Sequence, residues 1–279
     1  MHPELSKQLK ANCQKLSLDF NTLDLIGESE TQIKDITIKI ERDGDAESPR
    51  EWDNVGTMVC WHSRYNLGDE QPSVSYQDYR IGMVEEVEPG FEAMLERLEH
   101  NWPSTNWDAQ GTKDYQELVE AKIEARLDKY YFILPLYLYD HSGITMNTGG
   151  FSCSWDSGQV GFIYVTKEKA REEYGFKRLT KERIQKVFEF LDSEVKTYAA
   201  YLEGDVYGYV IEGHDIDDSC WGYVGPDGEG WALLEALSIV ENHKKERAGS
   251  RIQKIKTWIK NQVPLLKRRE LATELPILL

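Results

Sequence analysis

Two stretches of this chain gather side chains able to bind, orient or transfer protons. The first is SPREWDNVGTMVCWHSRYNLGD, residues 48–69, which places Asp53, His62, Arg64 and Tyr65 around one predicted strand. An imidazole oriented by a carboxylate is suited to proton transfer, so Asp53 with His62 is one candidate pair. The second is YDHSGITMNTGGFSCSWDSGQVG, residues 139–161, with Asp140 and His141 at a predicted strand end and Cys153, Trp155 and Asp156 behind several small residues. A thiol needs a nearby base to act as a nucleophile, which makes Cys153 with His141 a second candidate pair. Both stretches are rich in Gly, Trp and short polar residues, the composition of one shared concavity, so they are expected to pack against each other.

Other patterns point to less. Cys60, His62, Cys153 and Cys220 contain the atoms of a Cys3His zinc site, but two of the four stand alone in the sequence and no CxxC pair occurs. No structural metal and no cofactor are expected. The acidic run at Glu212, His214, Asp215, Asp217 and Asp218 does not fit a calcium loop, because the glycine position of a frame starting at Asp215 is Cys220. GYVGPDGEGW, residues 222–231, lacks the Lys-Ser/Thr pair of a phosphate loop and carries Asp227 and Glu229 instead. It reads as a turn and a helix start.

The elements that position these residues follow from periodicity. Residues 1–30 read as a short helix and a turn region near Gly27. QIKDITIKIE alternates Ile33, Ile36, Ile38 and Ile40 and reads as one strand. In GTMVCWH, Met58, Cys60 and His62 are expected on one face and Val59 and Trp61 on the other. FILPLYLY and VGFIYVT read as buried strands, and helices are expected over 91–100 and 115–131. The longest helix starts at an N-cap, Thr180, carries a stripe from Ile184 to Leu202 and stops at Gly204. A hairpin around residues 215–218 follows, then a helix from Trp231 to about Glu246 and a separate basic helix over 251–261, stopped by Pro264. Strands and helices mix without regular alternation, so the class is α+β, with a mixed or antiparallel sheet, flanking helices and a C-terminal helical arm.

Charge divides the chain. The formal net charge is -16, yet residues 244–269 hold ten Lys or Arg against one acid, and residues 270–279 add two acids. The remainder carries -23. The organisation read from this is an acidic globular domain over 1–245 and a basic arm over 246–279. An acidic body repels nucleic-acid phosphates, which disfavours direct binding of nucleic acid, and is complementary to basic protein surfaces. In the arm, Ile252, Ile255, Trp258 and Ile259 form an apolar stripe expected to dock on the chain's own body or on a second subunit. No stretch reaches the roughly 18 apolar residues of a membrane span, and the N-terminus lacks the apolar core of a signal peptide. A cytoplasmic protein without membrane partners is the expectation.

On the stretches SPREWDNVGTMVCWHSRYNLGD and LPLYLYDHSGITMNTGGFSCSWDSGQVGFIYVTKEKAREEYG, with DVYGYVIEG and DSCWGYVG, the chain resembles a family of functionally unassigned proteins of bacteriophages and mobile elements. GGFSC departs from the Pro-containing form of that stretch. The resemblance implies a phage-type accessory role acting on host machinery, with no catalytic residue to carry over. Three readings follow. One is a non-enzymatic protein that binds and inhibits a host protein, such as a CRISPR-Cas or restriction component, by acidic mimicry of nucleic acid. Another is a small-molecule or nucleotide hydrolase using Asp140, His141 and Cys153. The third is an oligomeric scaffold assembled through the arm.

Overall fold

The computed structural model describes residues 2–20, 29–103, 108–213, 215–264 and 267. The chain divides into two units, residues 1–46 with 204–279 and residues 47–203. Each contains an antiparallel four-stranded sheet with helices packed on it, an α+β arrangement as the pattern predicts. Among the described residues no helix is long and apolar enough to cross a membrane.

In the unit formed by the chain's two ends, the sheet has the order β1 (Ser29–Ile33), β2 (Ile36–Arg42), β7 (Val206–Gly213), β8 (Ile216–Val224). Helices α1 (Pro3–Leu16) and α7 (Gly228–Gln262) belong to the same unit. Leu5, Leu9, Cys13 and Leu16 recur every third or fourth residue along α1 and meet Ile36, Ile38, Ile40, Tyr209 and Ile211 in one core. The expected single strand over 32–41 is instead a hairpin. Lys34 takes a left-handed φ of 64° and the ladder pairs Ile33 with Ile36. The three-residue step from Ile33 to Ile36 breaks the two-residue period, and it marks the turn. The turn region near Gly27 lies outside the described residues, as does His214. Of the acidic hairpin tip, Asp215 is in the turn, whereas Asp217 and Asp218 are paired in β8.

The boundary read at residue 245 is not where the chain divides. One 35-residue helix, α7, runs through it. The shift in charge does not interrupt the helix, and Gly249 within it costs only about 1 kcal/mol relative to Ala, too little to end a helix. The helix ends at Gln262, with Val263 extended in front of Pro264. Arg247 pairs with Asp35 at 3.5 Å and Asp215 at 3.8 Å, so the start of the basic segment docks on acids of its own unit. The four-residue stripe does not form one buried face. Ile259 is 4% exposed, but Ile255 is 42% and Trp258 61% exposed, and Ile252 is half-buried. Ile259, rather than Trp258, is the buried member of the stripe. Ile259→Ala is expected to cost about 2 kcal/mol or more of unfolding free energy, and Trp258→Ala under about 1 kcal/mol, as read by urea unfolding. Residues 265–266 and 268–279 lie outside the described residues.

The central unit is built on a sheet of order β3 (Thr57–Cys60), β6 (Ser157–Thr166), β4 (Tyr131–Asp140), β5 (Ile144–Asn147). Met58 and Cys60 join one core with Ile163, Leu136 and the stripe of α6 (Lys181–Leu202): Val187, Leu191 and Val195. Val59 joins a second core with Phe162, Trp61 packed against it, and helices α2 (Tyr76–Val87), α3 (Phe91–His100) and α4 (Ala109–Tyr130). The alternation read from GTMVCWH thus holds over 58–61, and His62 lies beyond the strand. Thr180 caps α6 through a hydrogen bond from the Arg183 N–H, and Gly204 follows with φ 75°. A short helix, α5 (Lys167–Glu173), continues β6.

Candidate functional site

The site is set by where β3, β4 and β6 end. Beyond β3 the Trp61 N–H still donates to the Val160 carbonyl at 2.7 Å, and the chain then leaves the sheet. The loop 61–68 returns at Asp69 and Glu70: the Asp69 N–H donates to the Met58 carbonyl at 2.9 Å and the Cys60 N–H to the Glu70 carbonyl at 3.0 Å. Inside the loop, His62 Nδ1 accepts from the N–H groups of Arg64 at 3.3 Å and Tyr65 at 3.1 Å. Its ring stacks on Tyr65, centroids 5.0 Å apart. Arg64 and the Tyr65 hydroxyl both donate to Asp140 at the end of β4, the second at 3.3 Å.

On the other side, the Asp140 N–H donates to the Asp156 carbonyl at 2.8 Å, closing the segment that carries β5. The Asp156 carboxylate lies 3.4 Å from His141 Nδ1 and 3.6 Å from Cys153 Sγ. Between Leu136 and Tyr137 the β4–β6 register slips, leaving Val160 without a partner on β4. Such a bulge re-aims the side chains beyond it. The result is an open concavity of about 330 Å³ lined by His62, Arg64, Leu138, Asp140, Trp155 and Asp156, among others. Trp155 stands 94% exposed beside it.

The two stretches therefore meet in one place, as their composition predicts, and Tyr65, His141 and Cys153 contact its lining residues. Asp53 does not belong to it. The short 3-10 turn at Pro49–Glu51 leaves Asp53 exposed in the loop ahead of β3, and His62 Nδ1 is held by backbone N–H groups. Nor do Cys153 and His141 form a direct pair, since each contacts the same oxygen of Asp156. That arrangement lacks the thiol-to-imidazole contact that would activate Cys153. The residues of the zinc reading are scattered. Cys60 is buried at the end of β3, and Cys220 is exposed in β8. Among the described residues no three His, Cys, Asp or Glu side chains converge as metal ligands.

Burial, and then the Asp69 charge, push the Cys60 thiol up to about 12, with Arg50 opposing. Burial and then Asp19 also raise Cys13. A thiol whose pKa lies above the buffer pH holds little thiolate. At pH 8, iodoacetamide is expected to label Cys220 on the native protein and to reach Cys13 and Cys60 only after unfolding, as read by peptide mass spectrometry.

Sequence reasoning missed the group that holds the loop in place. Arg50, its side chain 5% exposed, donates to both oxygens of Asp69 at 2.9 and 2.6 Å, to Glu194 at 3.0 Å and to the Gly56 carbonyl at 2.7 Å. Asp69 also accepts from the Met58 N–H at 2.7 Å, and Glu194 from the Val55 N–H at 2.9 Å. Burial works to lower the guanidinium pKa; the hydrogen bonds and charges of Asp69 and Glu194 outweigh it and raise the pKa. The motif runs from just before Arg50 to Asp69, and that spacing was the available signal.

Comparison with known proteins adds no identity: no family model, curated protein or solved structure matches the chain.

Proposed function

We propose that this is a non-enzymatic accessory protein of phage type that binds a host protein, a nucleic-acid-binding defence component being the partner class its charge fits. The observation that carries the reading is Trp155, a large aromatic 94% exposed beside a concavity whose polar groups are tied to one another. Covering such an indole with a partner removes a large apolar surface from water, and Trp is among the residue types most enriched in binding hot spots. Charge supports the same reading. Residues 47–203 hold 28 acids against 17 bases, a net -11, and the segment 76–130 that forms α2 to α4 carries 13 acids against 6 bases. Acidic surfaces of this kind speed encounter with basic grooves and set partner choice.

Affinity capture from host lysate tests the reading. Wild-type protein is expected to retain a partner that Trp155→Ala loses, while Phe190→Ala, at another exposed aromatic, keeps it. Raising salt from 50 to 500 mM should slow association. Equal capture by wild type and Trp155→Ala would move the contact away from the concavity.

A further inference from the structure

A second surface of the central unit has the geometry of a strand acceptor. β5 pairs with β4 only over Tyr137–Asp140, and among the described residues no strand pairs with the other half of that edge, Tyr131–Leu136. Which backbone groups face outward follows from the ladder. The Trp61 N–H donates to Val160, and the Cys60 N–H turns away to Glu70. Antiparallel pairs alternate, so Val59 and Phe162 exchange bonds across β3–β6 and Phe162 shows none to β4. Its β4 partner, Pro135, therefore points its backbone outward, as do Ile133 and Tyr131 two and four residues before it. Pro135 has no N–H, and the Tyr131 N–H donates to Leu127. The open edge thus offers three carbonyls, of Tyr131, Ile133 and Pro135, and one donor, the Ile133 N–H. Proline at an outward position of an edge is the usual guard against uncontrolled pairing.

A groove of about 520 Å³ runs along this edge, lined by Ile133, Pro135, Phe162 and Phe188, with Glu124 and Asp128 of α4 on its wall beside two cations already engaged, Arg80 by Glu120 and Glu124 and Lys167 by the Asp128 carbonyl. Glu120 and Glu124 share Arg80, yet their side chains remain 47% and 55% exposed. We propose that this groove binds an extended, basic peptide segment of a partner protein, which adds as an antiparallel strand to β4. Its central residue exchanges two hydrogen bonds with Ile133. The N–H groups two residues to either side donate to the Tyr131 and Pro135 carbonyls, an apolar side chain fills the groove, and Lys or Arg side chains reach the acids of α4. Main-chain pairing supplies affinity and the groove supplies selectivity. An acceptor-rich edge beside an acidic helix layer selects a basic strand over an acidic one. This surface is separate from the concavity at Trp155 and does not rest on the function proposed for it.

The test uses the full-length protein and a fluorescein-labelled alternating Lys-Val octapeptide, titrated by anisotropy at low salt. Ile133→Pro removes the single outward donor without touching the β6 ladder and is expected to weaken binding at least tenfold. Pro135→Val restores a second donor and is expected to tighten binding severalfold; it decides the matter alone if Ile133→Pro fails to fold. Hydrogen exchange should show slowed exchange over 131–136 on binding. Equal affinity of the three proteins, meaning attraction by charge alone, overturns the proposal. So does absence of saturable binding at millimolar peptide.

Discussion

Arg50→Ala is expected to cost about 3–5 kcal/mol of unfolding free energy, the range for removing one member of a buried charge network. Asp69 and Glu194, with side chains 23% and 16% exposed, would keep their charges and lose their counterion. The Gly56 carbonyl would also lose its donor. Water entering the cavity would offset part of the loss. Arg50→Lys keeps the charge but has no planar fork to serve Asp69, Glu194 and Gly56 together, so it should fall between wild type and alanine. Urea unfolding monitored by tryptophan fluorescence checks the order. The loop 61–68 should loosen first, because Asp69 fixes its return, and faster hydrogen exchange there should precede global unfolding. A loss under about 1 kcal/mol would mean that the network contributes little beyond solvating itself.

Gly161→Ala is expected to be the most damaging single methyl group in the central unit. A Cβ at Gly161 would sit 1.9 Å from the Val59 carbonyl oxygen and 3.0 Å from the Cys60 Cα. Both obstacles are backbone, so no rotamer change relieves them. β3 would have to move off β6, breaking the ladder from Thr57 to Cys60 and displacing the loop that carries His62, Arg64 and Tyr65. We expect a loss of about 3 kcal/mol or more, at the upper end of single-substitution effects. Gly56→Ala is a useful contrast. Its added Cβ meets the Leu191 and Ile163 side chains at 2.6 to 2.8 Å, and side chains have more freedom to yield. A smaller loss at Gly161 than at Gly56 would contradict the assigned register.

Much of the fold was legible because its signals are local. The stripe of α6, the cap at Thr180 and the opposed faces of Met58 and Val59 are periodic patterns that one burial direction enforces. The meeting of the two motif stretches was legible from composition alone. Other features were hidden by contacts far apart in sequence. Helix α2 places Arg80, 4% exposed, at a core position, which erases the apolar stripe; its partners Glu120 and Glu124 lie on α4. The only local sign was Ser75, whose hydroxyl caps the Asp78 N–H. The Arg50 clasp needs Glu194, 144 residues away on α6. Asp53 was misplaced because a short 3-10 turn, not a strand period, sets its direction.

The central claim is that the Trp155 concavity recognises a partner rather than performing chemistry. Once the partner is recovered and purified, calorimetric affinity for a panel of variants tests it most directly. Trp155→Ala is expected to weaken binding by about thirtyfold or more, the cost of losing a hot-spot residue. Arg64→Ala, which leaves Asp140 the Tyr65 hydroxyl as a donor, should weaken it less. Cys153→Ser and His141→Gln should leave it within about threefold, because neither is needed to present the indole. Full affinity in Trp155→Ala, or turnover of any partner or substrate that disappears in Cys153→Ser, would contradict the account.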